Sequence, residues 1–171
     1  SFASDRLAEA NSTIATWASS GFIRFTFARQ AIQMSWDFAE CNVLSNSTGN
    51  FMGAVDWVWK VILGFHTNAD GNIRQWDAQS VNLPNNAVIS TDPPYYDNIM
   101  YADLSDYFYV WIRKSLKRIY PSLLSTISVP KEEELVASAY RRKNKKDAAV
   151  FFMNGMTQAL CQLAMHSNKS F

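Results

Sequence analysis

Asp92-Pro93-Pro94-Tyr95 brings together residue types suited to holding a planar amine. The four residues follow Ala87-Val-Ile-Ser-Thr91, a β-branched run that reads as a short buried strand. Two prolines cannot continue a central strand, so the strand is expected to end there. In open α/β sheets, ligands bind beyond the carboxyl ends of strands. A stiff Pro-Pro turn at that place would aim the Asp92 carboxylate and the Pro93 carbonyl out of the sheet, with Pro94 as the rigid hinge. Neither proline has an N–H, so no donor within the turn competes for these acceptors. Two acceptors about one amino group apart suit an exocyclic –NH2. Tyr95 adds a flat face on which a planar ring can stack, worth about 1–3 kcal/mol for a base.

The surrounding elements follow from periodicity and turn chemistry. Residues 4–19 read as a helix or helix-turn. Ile23, Phe27, Ala31, Met34 and Phe38 recur at helical spacing, which predicts a helix over 22–39 with a broad apolar face. Residues 42–50 are a polar loop rich in turn formers, and Asn50 suits the N-cap of a next helix bearing Val55, Val58, Trp59 and Ile62. Gly64 and the turn over 68–72 end that helix. Ile73-Arg-Gln-Trp76 alternates as a short strand. A helix from Leu104 to Tyr120, with Tyr107, Phe108, Trp111 and Leu116 inward, stops at Pro121. Another begins near Pro130, where Glu132, Glu133 and Glu134 suit the positive end of a helix dipole. Asp147 can cap a last helix whose face is Ala149, Phe152, Met156, Leu160 and Leu163.

Helices, two strands and helices again predict an α/β chain, part of a sheet protein rather than a complete doubly wound sheet. The 171 residues are enough for one domain, and 48% apolar with 18% charged residues excludes disorder and a coiled coil. The low charge content hints at apolar surface that meets something else. The chain reads as a fragment, since it starts Ser1-Phe2 without Met and stops at Phe171. A net charge of +1 advertises no global attraction to nucleic acid, although a local patch remains open. Arg141, Arg142, Lys143, Lys145 and Lys146 form such a run, read either as a solvated loop or as phosphate contacts that would make binding salt-dependent.

Cys41 and Cys161 lie in no CxxC or Cys/His cluster, so no metal site is expected, and both read as small buried thiols. His66 and His166 are isolated and read as surface or core-edge residues. Trp36, Trp57 and Trp59 read as core, partly exposed if covering strands are missing. Many Trp and few Cys suit a cytoplasmic location. No apolar run approaches the ~20 residues that cross a bilayer, so no membrane partner is expected.

The extended run Thr91-Asp-Pro-Pro-Tyr-Tyr-Asp-Asn-Ile99 resembles the catalytic motif of amino-directed DNA methyltransferases. With Tyr101-Ala-Asp-Leu-Ser-Asp-Tyr-Phe-Tyr-Val-Trp111, Phe27-Ala-Arg-Gln-Ala31, Trp36-Asp-Phe-Ala-Glu40 and Ser47-Thr-Gly-Asn-Phe51, it is similar to the large adenine-specific DNA methylases. That family carries an N-terminal region of uncharacterised function and a zinc ribbon. The likeness runs from about residue 20 to about residue 165, with residues 1–19 as a helical extension.

The resemblance implies a partial Rossmann-like, class I methyltransferase domain. It implies S-adenosylmethionine as cofactor, duplex DNA with a flipped adenine as substrate, and N6 as the methyl acceptor. Asp92 and Pro93 would be the amino-group acceptors, Pro94 the hinge and Tyr95 the stacking platform. Tyr96, Asp97, Asn98 and Tyr101, with Asp103 and Asp106, would line the base entrance, although Asp106 equally suits balancing charge at its helix start. Asp77 and Ala78 would meet the cofactor's adenine, against the plainer reading of an Asp capping a turn. The glycine-rich cofactor loop and the zinc-ribbon cysteines have no counterpart here, and Met100 stands where relatives often have a small residue or proline. The fragment would therefore need the rest of its parent polypeptide and have little activity alone. A restriction or defence-system partner is implied by association only. Cytosine N4, RNA adenine and protein glutamine are rival acceptors for the same motif, and a non-catalytic nucleic-acid-binding piece is the rival of another class.

Overall fold

The computed structural model describes residues 1–28, 35–66 and 68–169. Four helices and one two-stranded hairpin make up its regular structure: α1 (Phe2–Ala10), β1 (Thr16–Trp17), β2 (Ile23–Arg24), a 3₁₀ turn (Thr26–Ala28), α2 (Phe51–Gly64), α3 (Tyr101–Leu116) and α4 (Lys145–His166). The chain divides into two compact units. The first comprises Ser1–Asp70 with Leu104–Val129, and the second comprises Gly71–Asp103 with Pro130–Phe171.

In the first unit, β1 and β2 pair antiparallel, with Thr16 opposite Arg24 and Trp17 opposite Ile23. Ala10, Ala15, Ile23 and Ala39 form its small core, with Cys41 packed against them. Burial pushes the Cys41 thiol pKa up. Gly49 has a φ of +86°, and a Cβ there would lie 3.0 Å from the Cys41 sulfur. The 42–50 loop forms as its composition predicts. Asn42 accepts from the Leu44 N–H at 3.0 Å, and Asn50 caps α2 by accepting from the Gly53 N–H at 2.6 Å. α1 packs on α2, with the Arg6 guanidinium 5.8 Å from the Trp57 ring centroid. Phe27, Tyr107 and Phe108 form a ring cluster with centroids 4.9–5.4 Å apart. The Asp106 carboxylate accepts from the Val129 N–H at 2.8 Å, which gives it a structural role within this unit.

Among its described residues the second unit has no sheet. Ala87 makes one parallel bridge to Ser167, donating to the His166 carbonyl and accepting from the Asn168 N–H, both at 2.9 Å. The expected strands at 73–76 and 87–91 form no ladder: a strand persists only where neighbours complete its hydrogen bonds, and Ala87 alone finds that partner. α4 is capped by Asn144, which accepts from the Asp147 N–H at 2.9 Å and donates to the Asp147 carboxylate at 3.0 Å. Asp147 therefore completes a reciprocal cap instead of being the cap itself. The buried stripe of α4 is Ala148, Phe152, Gly155 and Ala159. Only Phe152 was expected there. The stripe is rotated toward small residues because the chain packs close: a Cβ on Gly155 would run into a Leu135 methyl.

Other expectations are corrected. The predicted helix over 22–39 is replaced by β2 and the 3₁₀ turn up to residue 28, and residues 29–34 lie outside the described residues. The long helix runs Tyr101–Leu116, with turns continuing to Tyr120, so its end precedes Pro121. No helix forms over 130–140. Cys161 is exposed, not buried. Trp36, Trp57 and Trp59 are all exposed, Trp36 at 91%. Among the described residues most buried side chains are alanines, while α2 leaves Val55, Trp57, Val61, Ile62 and Leu63 open. No helix among the described residues is long and apolar enough to cross a membrane.

Replacing Asn144 with Ala should destabilise α4 by about 1 kcal/mol, the usual worth of an N-cap. Urea unfolding of the chain, followed by helix circular dichroism, checks this.

Candidate functional site

The Asp92–Tyr95 turn lies in the second unit and is open to solvent, with Tyr95 55% exposed. The turn folds on itself: the Tyr95 hydroxyl donates to Asp92 Oδ1 at 2.9 Å. The three-residue spacing across two prolines makes this meeting local. Asp92 raises the Tyr95 pKa above its ordinary value, first by accepting the phenol hydrogen and then by its charge. Tyr101 adds a smaller contribution of the same sign. The carboxylate keeps Oδ2 and further lone pairs for another donor.

The next residues fix how the turn leaves. Asn98 N–H donates to the Tyr95 carbonyl at 3.0 Å. Tyr96 has a φ of +52°, a left-handed conformation that costs a bulky residue on the order of 1–3 kcal/mol. Two contacts hold it there. Its carbonyl accepts from the Ala137 N–H at 2.9 Å, and its ring meets the edge of Phe152 of α4 with centroids 5.1 Å apart.

α3 starts five residues beyond Tyr96, and its first turn is tied down from the 130–141 segment. Glu134 Oε1 accepts from the Ala102 N–H at 3.0 Å, satisfying a helix-start donor. Glu134 Oε2 accepts from Arg141, whose other terminal nitrogen donates to Asp103 at 2.7 Å. Arg141 also donates to the Lys131 carbonyl at 3.0 Å. Its side chain is only 6% exposed. Burial works to lower its pKa, but the hydrogen bonds and charges of Glu134 and Asp103 outweigh this and hold it above its usual range. Arg142 donates to the Glu132 carboxylate at 3.1 Å and its carbonyl at 2.7 Å, and its guanidinium lies 3.7 Å from the Phe151 ring centroid.

These contacts divide the basic run. Arg141 and Arg142 turn inward to acids and carbonyls, which removes them from the solvated or phosphate-contacting set. Lys143, Lys145 and Lys146 remain exposed. The glutamates at 132–134 do meet the positive end of a helix, but Glu134 caps α3 instead of a helix of its own. Sequence reasoning missed this clamp. Its available signal was charge complementarity, since an acidic run and a basic run stand ten residues apart.

Asp77 Oδ1 accepts from the Gln79 N–H at 2.9 Å, and its carbonyl accepts from the Ser80 N–H at 3.1 Å, so Asp77 caps a turn. Ala78 is exposed. An open groove of about 630 Å³ precedes and follows them in sequence, lined by Asn72, Arg74, Trp76, Asn82, Leu83 and Pro84. Arg74 stands 5.2 Å from the Trp76 ring centroid within it. Asp97 and Asn98 are exposed, as is Tyr101. His66 is exposed, and His166 is half-buried with Nδ1 3.2 Å from the Asn85 side-chain oxygen. Among the described residues, no group of three or more His, Cys, Asp or Glu side chains could hold a metal ion. Comparison of the chain with protein-family models, curated proteins and solved structures found no match.

The phenol contact has a pH signature. Tyr95 should titrate above the ordinary tyrosine value of about 10, and Asp92→Ala should return it there. Because the folded-state pKa is raised, the stabilisation is complete below the unfolded tyrosine pKa and is lost as pH rises through the folded value. Ring-carbon NMR of labelled tyrosine across alkaline pH reads both variants.

Proposed function

We propose that this chain is part of a class I, partial Rossmann-like domain that methylates the N6 amino group of a flipped adenine in DNA. The observation that carries the reading is the exposed Asp92 carboxylate held 2.9 Å from the Tyr95 phenol in an Asp-Pro-Pro-Tyr turn. Asp92 Oδ2 and the Pro93 carbonyl would accept the two amino hydrogens, which orients the nitrogen lone pair and increases its electron density. Tyr95 would stack on the base, and the Pro93-Pro94 pair keeps both acceptors from swinging away. Tyr96, Asp97, Asn98 and Tyr101 would border the entering base.

S-adenosylmethionine would supply the electrophilic methyl group for in-line transfer. Asp77 and Ala78 fit one edge of that cofactor: Asp77 Oδ1 is committed to the Gln79 N–H, so Oδ2 would accept from the cofactor's adenine amino group. The residues do not require a covalent link to the substrate. As N6 gains the methyl group it loses a proton, and the Asp92 carboxylate is the acceptor already hydrogen-bonded to it. Lys143, Lys145 and Lys146 supply phosphate contacts. Lys145 and Lys146 stand in the first turn of α4, where the helix dipole disfavours cations and a bound phosphate would relieve the repulsion.

In the full parent polypeptide with radiolabelled S-adenosylmethionine and adenine-containing duplex, Asp92→Ala should lower methyl transfer at least about 10²-fold, the scale of losing an electrostatic contact to the reacting group. DNA affinity should survive. Undiminished transfer overturns the site, and equal transfer to RNA, to cytosine or to a glutamine peptide overturns the substrate. Replacing Lys143, Lys145 and Lys146 together by Gln should weaken binding across sequences. It should also reduce the slope of log affinity against log salt by up to about 2.7, at about 0.9 per lost phosphate contact. Fluorescence anisotropy over a salt series measures this.

A further inference from the structure

Arg141 is the most deeply enclosed cation of the second unit with a described ion-pair set, and the function proposed above makes no use of it. Its fork reaches three acceptors on two stretches of chain: Glu134 and the Lys131 carbonyl on the strap leading to it, and Asp103 on the first turn of α3. A lysine, with one nitrogen on a flexible stem, cannot serve three such acceptors in a fixed plane. Glu134, held by that fork, is in turn the acceptor for the Ala102 N–H. Between Glu134 and Arg141 lies Ala137, whose N–H holds the Tyr96 carbonyl. The strap is thus pinned on both sides of the residue that grips the turn.

We propose that Arg141 is a positioning residue for the Asp92–Tyr96 turn, locking the 131–141 strap so that Ala137 keeps Tyr96 in its left-handed conformation and sets where Tyr96, Asp97 and Asn98 stand beside the Asp92–Tyr95 pair. The proposal deepens the amino-group reading of that turn and rests on it for its functional meaning. The lock is mechanical: Arg141 touches neither Asp92 nor Tyr95 in the described contacts. Without the fork, the strap loses its ties to α3, the Tyr96 carbonyl loses a fixed donor, and the backbone can relax to negative φ. That rotation turns Tyr96, Asp97 and Asn98 away from the Asp92–Tyr95 pair and breaks the Asn98 N–H bond to the Tyr95 carbonyl.

The test uses the 171-residue chain without cofactor or DNA. Arg141→Met removes the fork. Glu134→Gln is milder, since the amide oxygen still accepts from Ala102 while the ion pair is lost. Both should raise amide exchange at Ala137 and Asn98 about tenfold, the scale of one charge-assisted hydrogen bond, while the Tyr95 titration, set within residues 92–95, stays as in the wild type. Tyr109 and the α2 amides, in the other unit, should not change. Arg141→Lys should fall between wild type and Arg141→Met.

Unchanged Ala137 and Asn98 exchange in folded Glu134→Gln overturns the proposal. A uniform rise in exchange through both units overturns it too, because that is loss of stability and not of positioning. If Arg141→Met fails to fold, Glu134→Gln decides. None of these readouts involves methyl transfer, so failure of the positioning role and failure of the methyltransferase reading are separately visible.

Discussion

A guanidinium that is nine-tenths buried has to be surrounded by acceptors, and much of the order in the second unit follows from meeting that demand for Arg141. Glu134, Asp103 and the Lys131 carbonyl each answer part of it. Such a pair is weak grounds for net stability, because desolvating two charges offsets most of their attraction. Removing one partner is another matter, since the remaining charge is left buried. The network therefore acts mainly as a constraint on geometry. Glu134 serves it twice, with one oxygen on the cation and the other on the start of α3.

The exit from the Asp92–Tyr95 turn is held by this frame. Tyr96 is held in a conformation that its side chain disfavours, and the Ala137 and Phe152 contacts oppose its relaxation. The turn itself stays wet. An exposed carboxylate exerts little field on a neighbour, because water screens it. A planar ring stacked on Tyr95 would exclude that water and strengthen every contact Asp92 makes. Pre-set geometry with deferred desolvation suits a site that should grip an amino group only when the rest of the ring has arrived.

Local chemistry was legible in the sequence, and non-local pairing was not. The Asn50 cap, the 42–50 turns and the body of α3 depend on residues within a few positions of one another, and they form where the spacing places them. The Asp92–Tyr95 contact is of the same kind, although the sequence suggested the acceptor role and not the phenol bond. The strands failed as predictions because a ladder needs partners that periodicity cannot supply. The glutamates at 132–134 were read correctly as suited to a helix N-terminus. The Ala102 N–H that Glu134 caps lies 32 residues upstream of it, which only tertiary structure reveals. The α4 face shifted because Gly155 admits Leu135, a contact without a local signal.

Polar contacts carry an unusual share of the positional information here because the apolar core is thin. Alanines dominate the buried set, and each contributes little compared with the roughly 1.5–3 kcal/mol of a buried large side chain. Among the described residues of the second unit Phe152 is the largest buried side chain, and its ring packs on Tyr96. Hydrophobic burial is non-directional and tolerates sliding. Hydrogen bonds to a planar fork do not, since distance and angle are both set. A segment with so few large buried groups can still present one turn in one conformation if its anchors are directional. The Arg141 fork, the Glu134 bridge and the Ala137 donor are anchors of that kind, spaced along a single strap, and together they hold the backbone where it leaves the turn in which Asp92 and Tyr95 meet.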